Sequence, residues 1–142
     1  MSTLDAAMSA SASALRAERT RIEVAVSNMA NAESTRGANG QPYRRRDVVL
    51  ASEPVDSFDS ILGQAGAVGV KVSAIVEDPS PFKRRYDPAH PDADAGGFVA
   101  VPNVDVPEQM VDMMSASRAY QANLSAIGLI RDMIHRAMEL GK

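Results

Sequence analysis

An apolar residue recurs every seven positions near both ends of this 142-residue chain. Met8, Leu15, Ile22 and Met29 mark the first stretch, and Val106, Met113, Tyr120, Ile127 and Ile134 mark the second. A strict seven-residue repeat keeps one stripe of a helix turned toward a partner over many turns, which is more than a small core demands. The pattern therefore predicts two long helices that pack lengthwise, although a buried helix of a small bundle would carry a similar stripe. From residue 3 to about residue 31 there is neither Pro nor Gly, and Ala and Ser fill the positions between the stripe residues, which favours helix. Glu18 with Arg21 and Arg19 with Glu23 are charge pairs at helical spacing, worth a few tenths of a kcal/mol each, and mark a solvated face. Ser9, Ser11 and Ser13 thin the apolar stripe, so the first two turns are expected to fray in the monomer.

Residues 35–42, rich in Gly and Asn and ending in Pro42, stop the first helix. Beyond them the periodicity changes. Residues 43–50 and 68–77 read as strands, the second with Val70, Val72 and then Ile75 and Val76 after a one-residue slip in the alternation. Residues 83–86 and 98–101 are shorter candidates. Residues 51–67 are rich in Ser, Gly and Asp, with an isolated Phe58, Ile61, Leu62 patch, and read as a mobile loop with room for a short helical turn. The second long helix opens with Asp105 as an N-cap, Pro107 in the first turn and Glu108 three residues after the cap. It is expected to run about 50 Å to Leu140 and stop at Gly141. Met110, Met114, Leu124, Met133 and Met138 flank its main stripe, and Met tolerates imperfectly matched partners. Ala119, Ala126, Leu129, Ile130 and Ala137 fall on other faces of that helix and are expected to stay uncovered, a drive toward association. The expected fold is mainly α with a small β insert: two long terminal helices in an antiparallel, coiled-coil-like pair around a central β-hairpin-rich region. Its divisions are an N-terminal assembly helix (1–35), a β-rich insert of marginal independent stability (36–102) and a C-terminal assembly helix (103–142).

Composition removes several function classes. The net charge of −3 supplies no global positive field for nucleic acid or an anionic membrane. With no Cys there is no disulfide, thiolate metal site or Cys nucleophile, which suits passage between redox compartments without identifying one. The start lacks a basic segment followed by an apolar run, and no stretch approaches the roughly 20 apolar residues that span a bilayer. The chain is therefore expected to be soluble and not to use the general secretory route. His90 and His135, the two histidines, read as surface residues in a loop and on a charged helix face. A calcium loop starting at Asp92 would have Gly96 in place of the third oxygen ligand and Asn103 in place of the closing Glu. Phosphate loops, nucleophile elbows and paired carboxylates are missing, so no catalytic, cofactor or metal residues are assigned and no enzyme activity is expected. The clusters Arg44, Arg45, Arg46 beside Tyr43 and Lys83, Arg84, Arg85 beside Tyr86 could meet phosphates, but charged strand edges that discourage wrong pairing account for them better.

Residues 26–35, with Asn28, Met29, Ala30 and Asn31 at their centre, resemble the Asn-apolar-Ala-Asn signature of bacterial flagellar axial proteins, the rod and hook group. Residues 102–105 and 110–123 resemble the proximal-rod members of that group, and the likeness continues through residues 40–45, 76–78, 86–88 and 90–93. One departure is the Ser and Ala content of the first dozen residues, where bulkier apolar side chains are usual; Pro107 is another. The resemblance implies a structural subunit of the flagellar basal body's proximal rod, a torque-transmitting drive shaft built by polymerisation of terminal helices. It also implies export from the cytoplasm by the flagellar type III apparatus without a cleaved signal peptide. Implied partners are further copies, other rod proteins, the protein joining the MS ring to the rod, and the export apparatus, with no nucleic acid and no membrane insertion. By this likeness Asn28, Asn31, Asn103, Arg118, Tyr120 and Asn123 are contact positions between subunits, alongside Met8, Leu15, Ile22, Met29, Asp105, Met110, Met113, Met114, Leu124, Ile127, Ile130 and Ile134. Another rod paralogue, or a cytoplasmic helical adaptor or export chaperone, is the alternative. An adaptor would need neither the β insert nor the paired Asn signature.

Overall fold

A computed structural model of the chain describes residues 3–37, 39–54 and 68–140. Helix α1 (Thr3–Ala30) leads through a turn region to strands β1 (Arg46–Pro54) and β2 (Val68–Glu77), then β3 (Lys83–Tyr86), β4 (Phe98–Val101) and helix α2 (Val106–Leu140). The helices are antiparallel. Asn28 near the end of α1 meets Gln109 near the start of α2, while Arg19, held mainly by Glu23, also interacts with Tyr120. The expected antiparallel pair with a β insert is therefore the architecture found.

Both seven-residue stripes are half-buried throughout: Met8, Leu15, Ile22 and Met29 on α1, and Val106, Met113, Tyr120, Ile127 and Ile134 on α2. The fully buried positions of the helices are mostly small, with Ala17 and Ala25 on α1 and Ala116 on α2. Small side chains let helix axes approach closely, at the expense of apolar area hidden per residue. Ile130 is buried as well, correcting the expectation that it lies on an uncovered face. It falls fourteen residues after Ala116, four near-complete turns, so it shares the covered side of α2. Ala119 and Ala126 are half-covered, whereas Leu129 and Ala137 are exposed as expected.

Helix α1 ends without a left-handed residue, since among the described residues none other than glycine has positive φ. Instead Asn31 directs both its backbone N–H (3.1 Å) and its side-chain Nδ2 (2.8 Å) to the Ser27 carbonyl. The turn that follows is closed by Gly37 N–H to the Gln41 carbonyl and by Asn39 Oδ1 accepting from Gln41 N–H, with Gly40 at φ +77°. At the start of α2, Asp105 Oδ1 accepts from the Glu108 N–H at 3.2 Å, the expected cap.

Strands β1 and β2 form one antiparallel ladder and β3 and β4 another. β2, β3 and β4 occupy the expected residues. The slip in the β2 alternation is a bulge: Val49 pairs with Ala74 and Leu50 with Val72, leaving Ser73 extra. β1 is displaced, starting at Arg46 instead of residue 43 and running to Pro54 instead of residue 50. Tyr43 and Arg45 give their N–H groups to the Ser34 carbonyl and the Asn103 side chain, so they do not join the ladder. Residues 51–54 pair with Lys71, Val70, Gly69 and Val68 although their own side chains are polar or small, because a ladder needs only backbone groups. The remainder of the expected loop, with Phe58, Ile61 and Leu62, lies outside the described residues, as does Gly141.

The β1–β2 hairpin and α2 each pack against α1, which is the element common to both. Ser13 links the layers, its Oγ donating to the Ala10 carbonyl and accepting from Val70 N–H at 3.0 Å. The β3–β4 hairpin carries Val99, which is fully buried, and its loop turns at Gly97, where a Cβ would come within 3.0 Å of the Tyr86 ring.

The helix starts at Thr3, through the two turns whose thin stripe predicts fraying, yet full burial along α1 begins only at Ser13. Amides of residues 4–10 should therefore exchange roughly tenfold or more faster than those of residues 17–28 in the isolated chain, read by hydrogen–deuterium exchange. Equal protection along all of α1 would contradict this.

Candidate assembly interface

The sequence signature at the end of α1 places Asn28 where three elements converge. Its side chain is fully buried and makes every hydrogen bond an amide can. Nδ2 donates to the Arg46 carbonyl (2.8 Å) and to Gln109 Oε1 (2.7 Å); Oδ1 accepts from Arg46 N–H (3.0 Å) and from Tyr43 Oη (2.9 Å). Asn103, also buried, does the same for the segment entering α2. Its Oδ1 accepts from Arg45 N–H at 2.9 Å, and its Nδ2 donates to the carbonyls of Asp78 and Ser80. Asn28 and Asn103, expected as contacts between subunits, are thus engaged within the chain.

Between these amides lies Arg45, bonded to Asp78 (3.0 Å), Asp47 (3.2 Å) and Glu108 (3.2 Å). Burial opposes its charge, but Asp47, Glu108 and Asp78 together outweigh that and raise its pKa above the ordinary arginine value. Asp78 is held below the usual carboxylate range first by Ser80, whose hydroxyl and N–H both bond to it, then by Arg45 and Arg44. Asp94 is lowered by the N–H groups of Phe98 and Gly96 and by Arg84.

The two basic clusters are likewise engaged by groups of the same chain, several of them at the surface. Arg44 donates to the carbonyls of Asp78 and Ser80 and lies over the Phe82 ring, and Arg46 sits over Tyr43 near Glu77. Lys83 reaches the Val104 carbonyl, Arg84 pairs with Asp94 above the Phe98 ring, and Arg85 pairs with Glu33. None of these six cations is held out for a phosphate backbone. The acidic loop after β3 is similarly occupied: Asp92 takes Thr35 and Arg36, and its N–H bonds to His90 Nδ1.

What the chain does leave open is a set of large apolar side chains along α2, spread over more than half of its circumference. Met110, Val111, Met114, Leu124, Leu129, Met133 and Met138 are each about half exposed or more, from 49% to 66%. Of the residues expected at an interface, Met110, Met114, Leu124, Arg118 and Asp105 are exposed; Asn31, Tyr120, Asn123 and the two seams are half-buried. Asn123 bonds back to the Ala119 carbonyl of its own helix. Gln109 was missed by the sequence reading. The available signal was its place three residues after Val106 and four before Met113, on the seam side of the helix.

A helix pair with large apolar side chains left uncovered, its buried polar groups consumed in holding shape, is the build of a structural subunit. Residues 95–140 match the family described as flagellar basal body rod FlgEFG protein C-terminal. The chain is 47% identical to the flagellar basal-body rod protein FlgC of Bacillus subtilis over 146 residues, covering 95% of this chain and 96% of that one. It is 45% identical to FlgC of Salmonella typhimurium over 130 residues, with 92% of each covered. With FlgC of Agrobacterium fabrum it shares 38% over 143 residues, 100% of this chain and 98% of the other. The chain is a flagellar rod protein. Within that class it belongs to the FlgC family of flagellar basal-body rod proteins.

Replacing Asn28 with Ala removes the acceptor of Arg46 N–H and Tyr43 Oη and the donor to Gln109 together. It should cost about 3 kcal/mol or more in urea denaturation, against about 1 kcal/mol for Asn31→Ala, which loses a part-buried bond to the Ser27 carbonyl and a long one from Ser34 Oγ. Similar losses for the two would mean the buried amide is not the anchor. Because the folded pKa values of Asp78 and Asp94 are depressed, their stabilisation is complete above the unfolded carboxylate value of about 4 and is lost as pH falls through the folded values. Urea midpoints should fall below about pH 4, and Asp94→Asn should flatten that acid limb.

Proposed function

We propose that this protein is a structural subunit of the proximal rod of the flagellar basal body, polymerising through its terminal helices to form a shaft that transmits torque. The observation that carries the reading is the uncovered apolar surface of α2. Its seven large apolar side chains present on the order of 700 Å², close to the roughly 800 Å² per partner that a stable interface hides. Stiffness of such a shaft comes from cooperative burial over many helix contacts, not from one residue. The Met content of this surface lets one sequence meet several non-identical neighbours.

Its partners are other copies of itself and other rod proteins, with the protein joining the MS ring to the rod at the base. It leaves the cytoplasm through the flagellar type III apparatus, carrying an uncleaved signal near its N-terminus. Cys-free composition fits transit between redox compartments, and among the described residues no helix is long and apolar enough to cross a membrane. The assembly helices are residues 1–35 and 103–142, with the β insert between them. On α2 the subunit contacts are Met110, Met114, Arg118 and Leu124, together with Leu129 and Met133.

The test uses a strain lacking the chromosomal copy, complemented with the natural chain or with Leu124→Glu/Leu129→Glu. Detergent-resistant hook–basal bodies are purified and their subunits quantified by mass spectrometry. The natural chain should appear at levels comparable with other rod subunits. The double variant should remain helical by circular dichroism yet be absent from basal bodies, and its cells should not swim. Absence of the natural chain from basal bodies, with abundant protein in the cytosol, would return the adaptor reading to first place.

A further inference from the structure

The apolar seam that joins α1 and α2 carries little information about alignment. Slide α2 by seven residues along α1, and Val106, Met113, Tyr120 and Ile127 give way to Met113, Tyr120, Ile127 and Ile134, one apolar series replacing another. Ala25 and Ala116, buried where the helices meet, add almost no shape by which one alignment could be told from the next, and Ile130 is the one large apolar side chain buried along α2 among the described residues. Polar groups respond differently. Asn28 and Gln109 are both buried, one on each helix, and meet at 2.7 Å. A slip of seven residues moves them about 10 Å apart. In one direction it sets the Asn28 amide opposite Ala116, which has no acceptor to offer.

We propose that the buried Asn28–Gln109 hydrogen bond is the register lock of the helix pair, selecting one alignment among those the seven-residue seam accepts. Asn28 suits this role because its other three bonds, to Arg46 and Tyr43, fix its amide relative to β1 and leave one N–H aimed at α2. Gln109 is then a positioning residue for α2. Its removal leaves the apolar seam intact and takes the buried polar contact off the sliding coordinate, leaving the exposed Arg45–Glu108 pair and the Asn103 bonds before α2 as the weaker restraints. The inference concerns the folded monomer and stands independently of the rod reading.

The chain has no Cys, so labels can be placed at chosen sites alone. Spin labels at Glu23→Cys and Arg131→Cys, both exposed, lie about 25 Å apart along the helix axis in the observed register. Their distance distribution is measured by double electron–electron resonance in the full chain and in Gln109→Met, which keeps the side-chain volume without the acceptor. Gln109→Leu is the second variant, and Gln109→Glu restores an acceptor. The expected result is a single narrow peak for the natural chain and for Gln109→Glu. Gln109→Met should show a second population, at least about a tenth of the total, displaced by about 10 Å. Gln109→Leu replaces it as the readout if circular dichroism shows that Gln109→Met has lost helix. One unchanged peak in the acceptor-free variant, or a second population that persists in Gln109→Glu, would overturn the proposal.

Discussion

Four hydrogen bonds converge on the Asn28 amide, and the arrangement of the molecule depends on them. A buried amide left short of partners is expensive, and one fully satisfied is directional in a way that apolar contact is not. Through this one side chain the end of α1 is joined to the segment that begins β1 and to the first turns of α2. Asn103 repeats the device a few residues before α2, and Arg45 with its three carboxylates fills the space between them. The polar cluster sets direction, while the alanine-lined helix contact sets closeness.

That division of labour explains which parts of the fold were legible in the sequence. The two helices and strands β2, β3 and β4 declare themselves by periodicity and punctuation, and even the Ser73 bulge shows as a slip in the alternation of Val70, Val72 and Ile75. β1 was misplaced at both ends because its boundaries depend on where backbone donors go. The Tyr43 and Arg45 N–H groups find acceptors outside the sheet, on Ser34 and on Asn103 far along the chain, and no local pattern announces such a partner. Ile130 was misassigned for another reason: it belongs to a second seven-residue row, with Gln109, Ala116 and Asn123, beside the Val106–Ile134 row, and the polar and small members of that row conceal it as part of the seam.

The candidate interface was legible in part. The Met and Leu residues flanking the α2 stripe, Met110, Met114 and Leu124, do stand exposed, whereas Asn28 and Asn103 belong to the subunit's own framework. Sequence resemblance marks positions that matter without saying whether they serve the fold or its neighbours. The distinction comes from burial and from tracing each donor to its acceptor. The same tracing redirects the two basic clusters, whose charges look available in the sequence and are in fact bound to carbonyls, carboxylates and ring faces of the same chain.

The antiparallel pairing of α1 with α2 also bears on the order of events in the life of the chain. Asn28 and Gln109 are 81 residues apart, and pairs nearer the free ends of the helices are separated further still. Contacts so distant in sequence form late, because a long loop must close before they give any stabilisation. During translation α1 therefore has no partner for its apolar side until α2 has emerged. The topology itself delays folding until both helices are available.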